Sequence, residues 1–100
     1  MKYSWMDVPK KKEVWACAYS TNNTEKSMAL RKTPVRGIVD GGLFYEIGKT
    51  GKIKKSGSVS AYARSYADTE EECIEIYNSK VNNQITFLEK LIEECKSNLI

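Results

Sequence analysis

Histidine is absent from this chain of 100 residues. That absence removes imidazole acid–base chemistry and the Ser-His-Asp triad. Cys17, Cys73 and Cys95 are the only cysteines, and no Cys-x-x-Cys pair exists, so the common zinc sites are excluded as well. An odd, widely spaced set of three argues against a secreted disulfide framework and for a reducing, cytoplasmic setting. No apolar run reaches the length of a membrane span, and Met1 to Pro9 holds no apolar leader core. The carboxylates of the front half, Asp7, Glu13, Glu25, Asp40 and Glu46, stand singly, so no hydrolase pair can be placed. The expectation is a non-enzymatic protein without metal or cofactor.

Charge is unevenly shared. Residues 1–66 carry thirteen Lys/Arg and five Asp/Glu, net +8; residues 67–100 carry three Lys and eight acids, net −5. The overall +3 hides this division. A basic, aromatic front half joined to an acidic back half suggests an anion-binding surface on an oligomerising stalk. One hundred residues make one domain. Within it, 13–66 is the β-rich basic part and 68–98 the acidic C-terminal helix, for packing and oligomerisation. The predicted class is α+β: a small antiparallel sheet or partly open barrel of about five strands, then one long helix.

The strand signals come in order. Residues 1–12 read as an entry segment, with Trp5 and Met6 as anchors and Lys10-Lys11-Lys12 solvated. Glu13 to Ser20 alternates and is rich in β-formers. Thr21-Asn22-Asn23-Thr24 is a turn cluster. Met28 to Lys32 predicts a short strand ended by Pro34, and Val35 to Val39 a second. Asp40-Gly41-Gly42 predicts a tight turn, since glycine supplies positive φ, and Leu43 to Ile47 returns as the other arm. Lys49 to Lys52 and Lys55 to Ser58 read as two further turns around Ile53. Val59 to Tyr66 alternates and predicts the last strand.

The helix start is marked most clearly. Asp68 with Glu71 forms a capping box, and Thr69 with Glu72 is the alternative frame. Glu70, Glu71 and Glu72 suit the positive end of the helix dipole. No Gly or Pro intervenes before about Ser97. Some 28 helical residues would span about 42 Å, against a radius of gyration near 13 Å for a compact domain of this size. The helix therefore outruns its sheet or breaks near Asn82-Asn83. Ile74, Val81, Leu88 and Cys95 recur at seven, and Asn78, Ile85, Ile92 and Leu99 recur at seven with an offset of four. Together they form a coiled-coil seam with Asn78 at one a position. Tyr77 and Leu91 widen the stripe, as a sheet-packing face would. The two uses can coexist along one helix.

In the first strand Val14, Ala16 and Ala18 share one face, and Trp15, Cys17 and Tyr19 the other. The last strand sets Val59, Ala61 and Ala63 against Tyr62, Arg64 and Tyr66. Small side chains admit a helix closely, so the Ala/Val face is expected to receive it. The aromatic face then carries Arg64, a charge that is costly there unless an anion meets it. Tyr62, Arg64 and Tyr66 are either an exposed face or a platform that stacks a base and clamps a phosphate. Trp15, Tyr19 and Tyr45, with Arg31 and Arg36 from the middle strands, complete the candidate ligand-binding set. Cys17, between Trp15 and Tyr19, reads as a buried structural residue rather than a nucleophile.

Gly48-Lys49-Thr50 fails as a phosphate-binding P-loop, because Gly42 lies six residues before Gly48 where five are required. Basic charge with stacking groups also fits nucleic-acid binding, on an element sized for an SH3-like or OB-like barrel. In size, charge and layout the chain resembles small bacteriophage accessory proteins. Thr33-Pro34-Val35-Arg36-Gly37, the run Val59 to Tyr66 and the long helix after Asp68 make it similar to the Thoeris anti-defence family of sponges. That resemblance implies a homo-oligomer in the host cytoplasm that holds a cyclic nucleotide-type signal without cleaving it. A nucleic-acid-binding module, or a protein inhibitor or adaptor with a basic face, remains as an alternative.

Overall fold

The computed structural model describes the backbone of residues 1–20 and 30–100, and the side chains of residues 1–18 and 34–100. The turn expected at Thr21 to Thr24, and Met28 and Ala29, lie outside the described residues. The elements are β1 (Lys2–Ser4), β2 (Glu13–Ser20), β3 (Leu30–Asp40), β4 (Leu43–Ile47), β5 (Ile53–Ser58), a 3₁₀ turn (Ala61–Ala63), β6 (Ser65–Ala67) and α1 (Glu70–Ser97). The described strands form one antiparallel, six-stranded sheet in the order β1-β6-β2-β3-β4-β5, which does not close. The α+β class and the single long helix after the sheet are as expected.

The hairpin at Asp40 forms as the glycines predict. Asp40 pairs with Leu43 across a two-residue loop, and Gly41 and Gly42 take φ of 56° and 75°. Both central residues must be left-handed in the turn that matches strand twist. The expected break at Pro34 does not occur: β3 runs through it. Between the pairs Ala16–Val35 and Ala18–Lys32, Cys17 faces two residues, Thr33 and Pro34. Proline is tolerated because it sits in this bulge. β4 pairs with β3 only from Gly37 onward, so the other side of Pro34 borders no β4 residue. The sequence places β1 within an entry segment; in the fold its three residues pair with β6, Lys2 with Ala67 and Tyr3 with Tyr66. Three residues are too few to show a period.

Two other expectations need correction. Ile53–Ser58 is a strand rather than an isolated residue between turns, and it carries its own bulge: Phe44 faces both Ser56 and Gly57. Gly57 has φ of 102°, a conformation that glycine supplies without strain. The run Val59 to Tyr66 is not one strand. It leaves the sheet through a turn in which Tyr62 and Ala63 have φ of 54° and 51°, and only Ser65–Ala67 rejoins it. Val59 and Tyr66, on opposite faces by the alternation, in fact reach the same core from opposite ends of this connection.

The small-residue face does not receive the helix. Val14, Ala16, Val39, Phe44, Tyr66 and Val8 form the core on the inner side of the sheet. In a flat sheet β4 and β6 would lie about 14 Å apart, three strand spacings. Yet the Phe44 and Tyr66 ring centroids are 5.6 Å apart, so the sheet curls over this face. Ala16, 3% exposed and packed in this cluster, is small because the rings need that volume. A Cβ at Gly37 would clash with the Tyr45 carbonyl oxygen and lie 2.5 Å from Cζ of Phe44. The helix instead packs on the outer side, where Cys17 and Ala67 meet Cys73, with Trp15, Ile76 and Tyr77 around them.

The Thr69 frame caps α1. Its Oγ1 accepts from the Glu72 N–H at 3.2 Å and donates to the Glu72 carboxylate at 3.1 Å. Asp68 is turned to other partners, accepting from Lys12 Nζ at 2.8 Å and the Tyr3 hydroxyl at 3.0 Å. Lys12 holds the Asp68 carboxyl below its ordinary range. α1 then runs 28 residues without a break, and the molecule measures 58 × 27 × 25 Å with a radius of gyration of 16.2 Å. The helix outruns its sheet.

Two outcomes follow from this core. Burial pushes the Tyr66 phenol up to about 12, partly opposed by the Arg64 cation. Because the folded value is raised, the neutral phenol favours the folded state fully below about pH 10, and that contribution disappears as pH climbs through the folded value. Phenolate absorbance should therefore show one tyrosine ionising last, near pH 12, and Tyr66→Phe should delete that phase. Early, uniform titration of all six tyrosines would contradict it. Arg64→Met should destabilise the fold by roughly 3–5 kcal/mol in urea unfolding. Two carbonyl acceptors lose their donor, at about 1–3 kcal/mol each, and the cation over Phe44 is removed. A loss under about 1 kcal/mol, the range of ordinary surface changes, would remove Arg64 from this role.

Candidate functional site

The expected anion contact is built into the fold. Arg64 is 4% exposed. Its NH1 donates to the Ser58 carbonyl at 2.9 Å, and NH2 to the Ser56 carbonyl at 2.8 Å and Ser56 Oγ at 3.2 Å. The guanidinium carbon lies 5.2 Å from the centre of the Phe44 ring. The charge that needed a partner found the carbonyls of the β5 bulge. Tyr66 is also structural, fully buried and donating its hydroxyl to the Val59 carbonyl at 2.6 Å. Tyr62 is half-exposed on the 3₁₀ turn. Tyr45 stands on β4 between Ile38 and Lys55, half-buried and on the face opposite Phe44. Tyr19 and Arg31 are register partners between β2 and β3; their side chains lie outside the described residues.

Two of the expected residues do come together. Trp15 and Arg36 face each other across β2 and β3, and both line a cleft of about 430 Å³ on which Pro34, Glu46, Lys49 and Glu70 also border. That volume is within the usual range for small-molecule sites. Each wall has a distinct origin. Trp15 is held half-buried beside the helix cluster. Arg36, 44% exposed, bonds Glu13 through Nε at 3.0 Å. Lys49 comes from the β4–β5 turn, which Gly48 and Gly51 close with backbone bonds of 2.8 and 2.9 Å. Glu70 is the first residue of α1.

Glu46, Lys49 and Glu70 were missed from sequence. Lys49 read as a solvated tip, and Glu46 as an isolated acid. Counting register outward from the Gly41-Gly42 loop would have set Glu46 beside Gly37, one residue from Arg36. Nothing local links Glu70 to them; only the docking of α1 does. The lining balances two cations, Arg36 and Lys49, against two carboxylates, Glu46 and Glu70, around an indole. Such a wall suits a flat ring that carries both an anionic group and N–H donors. The Arg36–Glu13 pair is exposed, and such pairs contribute only about 0–1 kcal/mol, so a phosphate can displace the carboxylate.

The other reactive groups are set apart. Cys17 and Cys73 are 1% and 0% exposed where α1 meets β2. Both thiols are free; Cys73 donates a hydrogen bond to Cys17, which draws Cys17 below and, with burial, pushes Cys73 above the usual thiol range. Cys95 is exposed near the far end of the helix. Among the described residues no cluster of three or more His, Cys, Asp or Glu could hold a metal ion, and no helix is long and apolar enough to cross a membrane. No family model, curated protein or solved structure matches this chain.

Proposed function

We propose that this chain is a non-enzymatic binding protein that sequesters a small anionic nucleotide, with the helix bringing copies together as a homo-oligomer. The observation that supports this reading is the juxtaposition of Trp15 and Arg36 on neighbouring strands at the mouth of a cleft that also takes in Lys49. The indole is a stacking surface for a base. The guanidinium and ammonium are phosphate donors, the former capable of a bidentate clamp. Glu46 and Glu70 are acceptors for the amino edge of the base. The resemblance to anti-defence sponges suggests that the nucleotide is a cyclic signal. A nucleic-acid module is the second reading, favoured by Lys52, Lys54 and Lys55 exposed on or beside the edge strand β5.

The test is calorimetric titration with cyclic mononucleotides, cyclic dinucleotides and ADP-ribose, beside single-stranded DNA and RNA. Arg36→Ala is expected to weaken nucleotide binding by about 1.5–3 kcal/mol, the range for hydrogen bonds to charged groups. Arg36→Lys should recover part of it, and Trp15→Ala should cost about 1–3 kcal/mol. Heat-denatured complex should release the nucleotide intact; a stoichiometric cleavage product would make the protein an enzyme. A shallow salt dependence is expected, whereas a steep slope with single strands would select the second reading.

A further inference from the structure

We propose that α1 pairs with α1 of a second copy of this chain as a parallel, in-register, two-stranded coiled coil. This rests on the oligomer part of the reading above and not on the cleft or its ligand. The root of the helix is committed to its own domain: Cys73, Ile76 and Tyr77 pack on the sheet, and Lys80 Nζ donates to the Ala63 carbonyl at 2.8 Å. Beyond that turn the apolar side chains continue without cover. Ile85 is 45% exposed, Leu91 40% and Ile92 53%.

At about 100° per residue, Cys73, Ile76, Tyr77 and Lys80 centre on one line of the helix. The line of Ile74, Asn78, Val81, Ile85, Leu88, Ile92 and Cys95 centres about a quarter-turn away. Ile74, next in sequence to fully buried Cys73, is accordingly 40% exposed. The seam therefore stays open alongside the domain as well as beyond it. A second helix can follow it along its whole length, with the two β-domains on opposite sides of the pair.

The occupant follows from the repeat and the charges. Among the described residues α1 is the only α-helix, so a matching seven-residue seam is available from another copy. In a parallel pair Gln84 faces Glu89 of the second copy, and Leu91 faces Lys96, so no like charges meet beyond the root; at the root Glu70 faces Glu75, which Lys2 already pairs within its own copy at 2.9 Å. Antiparallel pairing over the full seam would set Glu89 against Glu89. Asn78 at an a position meets its own equivalent only in the parallel register, the arrangement in which a buried asparagine fixes register. Phe87, 48% exposed, lies off this seam.

Sedimentation equilibrium of the full, ligand-free chain should give a dimer. Cys95 is exposed at a d position, so in the parallel register it faces Cys95 of the second copy. Diamide should take up the two thiol hydrogens and leave a Cys95–Cys95 disulfide, seen as a covalent dimer on a non-reducing gel. Cys95→Ser should abolish that band while remaining a non-covalent dimer. Ile85→Asp with Ile92→Asp should give a monomer whose late Tyr66 ionisation persists, showing that the sheet is intact. Phe87→Ser should remain dimeric. A monomeric wild type at high micromolar concentration overturns the proposal, as does a dimer that survives the double substitution. A dimer that forms no Cys95 cross-link overturns the parallel register. None of these outcomes depends on nucleotide, so a failure here leaves the cleft reading standing.

Discussion

The guanidinium of Arg64, held against two carbonyls of the β5 bulge and the face of Phe44, is the interaction on which the rest of this fold depends. β5 and β6 are separated by three strands in the sheet, so nothing in the strand ladder joins them. The sheet curls until they meet over the inner core, and the connection from Ser58 to Arg64 crosses that gap. An unpaired cation buried there would be prohibitively costly. Satisfied by main-chain acceptors, it fixes how far the sheet curls. Tyr66 supports the same closure through the Val59 carbonyl, and Gly37 leaves room for the Phe44 ring.

Curling decides where the helix goes. With the inner face filled by Phe44 and Tyr66, the only side open to α1 is the outer one, where Cys17 and Ala67 present little bulk. That docking sets Glu70 at the rim of the Trp15–Arg36 cleft. The cleft is thus a by-product of two separate packing decisions, one on each face.

What could be read in advance follows from locality. The Asp40-Gly41-Gly42 turn, the helix start and its length are written in contiguous residues, and each formed. The frame of the cap shifted to Thr69 because Asp68 is engaged by Lys12 and Tyr3 from far along the chain. The misread face of β2 has the same origin. Ala16 and Ala18 signal close approach but not by what, and at Ala16 it was two rings of the same sheet. Arg64 was identified as the residue whose charge needed an answer; that the answer lay in backbone carbonyls six and eight residues back depends on a bulge that β5's sequence reveals only through Gly57. Of the candidate site, Trp15 and Arg36 were legible as strand residues, while Glu46 and Glu70 became neighbours only through register and helix docking.

Because Arg64 grips main-chain oxygens, the closure is almost indifferent to what side chains β5 carries. Lys54, Lys55 and Ser58 are exposed and contribute no side chain to that grip; Ser56 adds only a third, longer contact. Gly57, at φ of 102°, is the position with no substitute. The rim of the sheet is therefore a surface that can change its charge and chemistry over many substitutions while the domain beneath it keeps its shape. A lineage under pressure to meet new partners could rewrite this strand first.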